Sequence, residues 1–100
     1  MRNHKLEEDR MTVMFVRHRV ADYEAWRRVY DSVGELQRQG GVTEEAVYRA
    51  EGQPDEILVM HRFSSSDEAH SFMENPELRQ AMEDAGVDAG SLRVEFYERA

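Results

Sequence analysis

The sequence predicts an α+β fold, with four antiparallel strands in one sheet and both helical regions on one face. Three observations predict it. Strand-like and helix-like runs follow one another in the order β-α-β-β-α-β. The helix-like runs carry apolar residues at spacings of three and four, so each presents a single apolar side. The third strand-like run, Glu56–Phe63, is apolar with little alternation, as expected of a strand covered on both faces.

Each element has its own reason. Thr12–Val20 is rich in β-branched and aromatic residues without Gly or Pro, and reads as strand one. Asp22 offers an N-cap to a helix whose stripe is Tyr23, Trp26, Val29, Tyr30, Val33 and Leu36. Gly40-Gly41 ends it, since glycine adopts the left-handed cap conformation without a Cβ clash. Val42–Glu51 holds Val47 and Tyr48 among charges and reads as an exposed or edge strand; Gly52–Asp55 is the turn into strand three. Ser65 and Glu68 form a capping box for the second helix, with Ala69, Phe72 and Met73 on its apolar side. Asn75-Pro76 restarts that helix, which continues through Leu78, Ala81, Met82 and Ala85 to Gly86. Leu92–Glu98 is the last strand. The result is a ferredoxin-like sandwich. If strand three is apolar on both sides, the second sheet face needs a cover that the chain does not supply, and a second copy of the chain, a homodimer, supplies it.

Composition narrows the function classes. The 100 residues suffice for one domain, 11–100, with residues 1–10 expected to be a flexible N-terminal extension outside it. The absence of cysteine excludes disulfides, thiolate catalysis and thiolate metal sites. The formal net charge of −8 argues against nucleic-acid and anionic-lipid partners. No apolar run is long enough to span a membrane, and the polar start lacks a signal-peptide core, so the expected location is cytoplasmic. His4, His18, His61 and His70 show no close ligand spacing, and no phosphate loop, dinucleotide fingerprint or nucleophile elbow occurs, so neither metal nor nucleotide cofactor is expected.

The stretch Val20–Asp31, containing Ala21-Asp22-Tyr23-Glu24-Ala25-Trp26, resembles a signature of the antibiotic biosynthesis monooxygenase-like superfamily. Ser66–Phe72, Asn75–Met82 and Ala85-Gly86-Val87 are similar to the same group, so the resemblance spans residues 12–98. It implies a dimeric α+β barrel, in which two four-stranded sheets pair with the helices outside. Activities in the superfamily include cofactor-free oxygenation of aromatic polyketides and quinols, haem degradation, polyketide cyclisation and lactone isomerisation. Its oxygenase and haem-degrading members use an Asn on the first strand and a Trp on the second helix. Here the first strand has no Asn and the single Trp is on the first helix, so no catalytic residue carries over by motif.

Candidate site residues come from strand alternation. Val20 leads into the first helix, which places His18, Val16 and Met14 on the helix side; Phe63 does the same for His61 and Val59. Tyr23, Trp26 and Tyr30 stand opposite, with Phe72 on the second helix. An imidazole in such a cleft can act as general base on a phenol or on a C–H beside a carbonyl. His61 and His18 are therefore the candidate catalytic residues, and Tyr23, Trp26, Tyr30 and Phe72 the candidate substrate pocket. Each has a plainer reading: the histidines hydrogen-bonded within the protein or at a wet strand end, the aromatic stripe simply core. Arg17 and Arg62 fall on the other face, as interface ion pairs with Glu95 a candidate partner. The functional expectation is a cofactor-free, monooxygenase- or cyclase-like dimer binding or transforming a hydrophobic aromatic or polyketide-like molecule. The alternative is a non-catalytic small-molecule binding or structural dimer module.

Overall fold

The computed structural model describes residues 11–100, so the extension expected over residues 1–10 lies outside the described residues. The elements are β1 (Thr12–Arg19), α1 (Tyr23–Ser32), α2 (Gly34–Gln39), β2 (Glu44–Ala50), β3 (Gln53–Phe63), α3 (Ser66–Glu74), α4 (Pro76–Asp84), a 3-10 turn (Ala89–Ser91) and β4 (Arg93–Glu98). They form one antiparallel sheet in the order β2-β3-β1-β4. This is the ferredoxin-like arrangement that the sequence order implies.

The caps follow the side-chain chemistry. The backbone N–H of Ala25 donates to Asp22 Oδ2 at 3.0 Å, that of Glu68 to Ser65 Oγ at 3.2 Å, and that of Glu77 to Asn75 Oδ1 at 2.8 Å. Each satisfies one of the donors left over at a helix start.

Three local expectations change. The first helix does not run unbroken to Leu36. It stops at Val33 (φ −105°, ψ 20°) and restarts at Gly34 as α2, since a β-branched residue followed by glycine is a weak place in a helix. The β2–β3 turn is tighter than expected. Ala50 already faces Gln53, leaving Glu51-Gly52 as the turn, with Gly52 at φ +80°. Arg49 faces Ile57, so Pro54–Glu56 bulge out of the β2 ladder, and a bulge is where proline, lacking an N–H, is tolerated. Of the glycine pair, only Gly41 takes positive φ (+99°). Gly40 is right-handed, and its constraint is space: a Cβ there would run into the Phe72 ring.

The two faces of the sheet differ. Met14, Val16 and His18 of β1 and Ile57, Val59, His61 and Phe63 of β3 are buried under the helices, together with Trp26, Ala69 and Phe72. The other face is open. There β3 presents Leu58, Met60 and Arg62, all only half-buried, so the expectation that strand three is covered on both sides is met on one side within a single chain. Phe15 shares this face, and Tyr48 and Tyr97 at its margins are 55 % and 53 % exposed. Arg62 is already paired within the chain, its Nη1 3.1 Å from Glu44 on β2, and not with Glu95, which stands opposite Phe15.

Candidate active site

The site is built where the buried face of the sheet meets α1, α2, α3 and α4. A cavity of about 60 Å³ lies there, walled by Met14, Val16 and Val59 from the sheet and by Trp26, Tyr30 and Phe72 from the helices. Met73 and Met82 close its far side, and both histidines reach it. Of the residues singled out from the sequence, His18, His61, Trp26, Tyr30 and Phe72 line the same cavity. Tyr23 does not. Its ring stacks on the outer side of Trp26 at 5.9 Å, with the Arg49 guanidinium 3.8 Å from its centroid.

The rings form a continuous wall. His18 lies 5.8 Å from Trp26, Trp26 stacks on Tyr30 at 4.9 Å, and Tyr30 is 6.2 Å from His61, all between centroids. His61 then meets Phe72 edge-on at 5.6 Å. His61 faces Met14 across β1–β3, and His18 lies four residues further along β1. At the usual antiparallel rise that is roughly 13 Å, so the two imidazoles occupy opposite ends of the cavity and cannot act on one atom.

Their environments are alike in burial and differ in partners. His18 is 3 % exposed and His61 4 %. Burial disfavours the charged imidazolium and lowers both pKa values to about 4, although Glu56 and Glu45 respectively pull them upward. Both rings are therefore neutral at pH 7. No protein group satisfies either ring nitrogen of His18. His61 Nε2 lies 3.2 Å from the Tyr30 hydroxyl, and Nδ1 has no partner in the protein. The Tyr30 hydroxyl in turn donates to Glu45 Oε1 at 2.5 Å. Burial raises the Tyr30 pKa above its ordinary value, and the Glu45 carboxylate reinforces this, so the phenol stays protonated.

Two further residues belong to the site. Gln37 is 7 % exposed, lines the cavity, and its side chain stabilises the ionised form of Tyr30, opposing the effect of burial. Its signal was a polar residue in phase with Trp26, Tyr30 and Val33 on the helical stripe. Glu45 stands directly across β2–β3 from His61, a pairing visible only once the register is known. Among the described residues, no three His, Asp or Glu side chains converge as a metal site, and no helix is long and apolar enough to cross a membrane.

No family model matches the sequence, and no curated protein matches it by sequence. Solved structures do match in fold. A conserved protein from Methanosarcina mazei Go1 superposes with a TM-score of 0.76 at 8 % identity, over 96 % of this chain and 99 % of that one. A protein from Caulobacter crescentus CB15, provisionally named an antibiotic biosynthesis monooxygenase, matches with a TM-score of 0.74 at 14 % identity, over 100 % and 99 %. SnoaB from Streptomyces nogalater, a cofactor-independent oxygenase, matches with a TM-score of 0.68 at 9 % identity, over 91 % and 92 %. At these identities the likeness establishes a shared fold.

Proposed function

We propose, from a chain that carries the fold of the antibiotic biosynthesis monooxygenase-like proteins, a cofactor-free dimer that binds and deprotonates a small hydrophobic aromatic molecule. The substrate class is a phenol, quinol or enolisable polyketide-like ring. One observation carries this reading: His61 is neutral, almost fully buried, and holds an unclaimed Nδ1 in a cavity walled by aromatic rings. A buried nitrogen without a partner costs about 1–3 kcal/mol, and a polar edge on a bound ring removes that cost.

The chemistry follows from the surroundings. An imidazole with a pKa near 4 is a weak base in water. In a dry cavity the imidazolium and the substrate anion form together, and each stabilises the other at low dielectric. Proton removal leaves an electron-rich ring anion able to react directly with dioxygen or to close on its own carbonyl. His61 is the base. His18, at the far end, offers its neutral ring to a second polar group on the ligand. Trp26, Tyr30 and Phe72 give the flat walls that a ring stacks against. Met73 and Met82 are flexible side chains and form the wall that yields as the ring enters. The dimer reading is supported by the open sheet face, where Phe15, Leu58 and Met60 lie half-buried in the isolated chain. The cytoplasm is the proposed location.

The cavity size favours a second reading. About 60 Å³ holds only a few waters and is well below the roughly 300 Å³ of an ordinary ligand pocket. On that reading the protein is a non-catalytic binding or structural dimer whose histidines are satisfied by trapped water. Oxygen uptake with 1,4-dihydroxynaphthalene separates the two. The enzyme reading expects turnover above the buffer rate, and His61→Ala should lower it by about 10²-fold or more, well beyond the roughly tenfold weaker binding expected from one lost hydrogen bond. No uptake and no binding, or full activity in His61→Ala, would overturn it.

A further inference from the structure

The buried base is wired to the surface through two side chains on other elements. Tyr30 has one hydroxyl proton and two neighbours that could receive it: Glu45 Oε1 at 2.5 Å and His61 Nε2 at 3.2 Å. A carboxylate can only accept, so the short contact to Glu45 takes the proton. The phenol oxygen is then left as an acceptor, and His61 Nε2 can bond to it only as a donor. That sets the tautomer: the proton is on Nε2 and the lone pair on Nδ1, the nitrogen without a protein partner. Glu45 itself is exposed, on the edge strand β2 directly opposite His61, while His61 is 4 % exposed. Other groups around the phenol are Gln37, which favours its ionised form, and Arg27, whose guanidinium lies 5.3 Å from the Tyr30 ring centroid.

We infer that Tyr30 and Glu45 are positioning residues that hold His61 as the Nε2–H tautomer and carry its proton to solvent. The use of this wire during turnover rests on the function proposed above; the tautomer does not. The transfer balances without any electron moving. His61 Nδ1 takes the substrate proton, Nε2 releases its own to the Tyr30 oxygen, and the Tyr30 hydroxyl proton passes to the Glu45 carboxylate, which gives it to water. The net result is that one proton moves from the substrate to water, Glu45 is a carboxylate again, and the interior is left with the substrate anion beside a neutral imidazole in its other tautomer. Its return, as Glu45 regains and passes back a proton, resets the site.

The test is nitrogen-15 NMR of the histidine rings in the full chain at pH 7. In the wild type His61 is expected with Nε2 protonated and Nδ1 bare. In Glu45→Ala, Tyr30 loses its acceptor and turns its proton to Nε2, so His61 should switch to the Nδ1–H tautomer. Glu45→Gln keeps an acceptor for the phenol but cannot take up the proton. It should retain the wild-type tautomer, with exchange of the Nε2–H against water slowed about tenfold or more. Glu45 is on the surface, so both variants are expected to fold. Nδ1–H in the wild type, or an unchanged tautomer in Glu45→Ala, would overturn the positioning role. Unchanged exchange in Glu45→Gln would overturn the wire. If the tautomer switches as expected and no aromatic substrate is turned over, the network stands and the enzymatic reading falls.

Discussion

The two faces of the sheet are made from the same four strands and solve opposite problems. The helix-covered face is sealed, yet it holds three histidine ring nitrogens that no protein group satisfies. The open face pairs Arg62 Nη1 with Glu44 and Arg19 with Glu56 at 2.7 Å, with Arg62 Nε the one buried nitrogen there that no protein group meets among the described residues, but it leaves Phe15, Leu58 and Met60 without full cover. The larger shortfall therefore differs between the faces: polar partners on one, apolar partners on the other. Unsatisfied polar atoms inside a cavity call for something small and polar-edged. Uncovered apolar side chains on a flat face call for another flat face.

The comparison breaks most visibly in acid. Both buried histidines have pKa values near 4, against an ordinary value of 6.5. Above pH 6.5 these rings are neutral whether the chain is folded or not, and they add no pH dependence. Between pH 6.5 and 4 the unfolded chain binds protons that the folded chain refuses, so stability falls as pH falls. Below pH 4 both states are charged and the loss levels off. The two rings together are worth about 6 kcal/mol across this window, comparable with the whole stability of a small domain. Denaturant melts at pH 7, 5.5 and 4.5 are expected to show that slope, and a flat profile would mean that the covered face is wetter than its geometry indicates.

The open face responds to charge instead. Met60→Asp puts an unpaired carboxylate at its centre and is expected to weaken self-association by about 3 kcal/mol, roughly 100-fold in Kd, with the monomer still folded. Analytical ultracentrifugation reads this directly, and a wild-type protein that is monomeric at high concentration would remove the proposed partner. The smallest effect sharpens the comparison. His18→Leu replaces two unsatisfied nitrogens with an apolar side chain and is expected to raise stability by about 1–2 kcal/mol at pH 7. It should also remove about half of the acid slope. Thermal melts check both, and destabilisation would show that the His18 ring has partners the fold alone does not reveal.

How far the sequence could be read depended on the range of the interaction. The element order was visible because hydrophobic period is a local property, and so were the caps at Asp22, Ser65 and Asn75, which act within three residues. Alternation along single strands correctly grouped His18 with Met14 and Val16, and His61 with Val59. The break at Val33 is hidden in the sequence because a stripe of correct spacing continues across it. Tyr23 was grouped with the pocket because it shares that stripe, but one turn's displacement along α1 takes it past the cavity to Arg49. Glu45 was invisible for a different reason. Its link to His61 exists only through the β2–β3 register, and the bulge over Pro54–Glu56 sits between the turn and that pair, so counting back from the turn gives the wrong partner.

Gly40 ties the α2–β2 connection to the heart of the cavity. The space that its missing side chain leaves is taken up by the Phe72 ring, one of the cavity's own walls. The two positions therefore behave as one unit of volume shared between a surface loop and α3. A larger residue at the first position demands a smaller one at the second, so a substitution that adds volume at Gly40 is expected to be tolerated only when Phe72 gives it up.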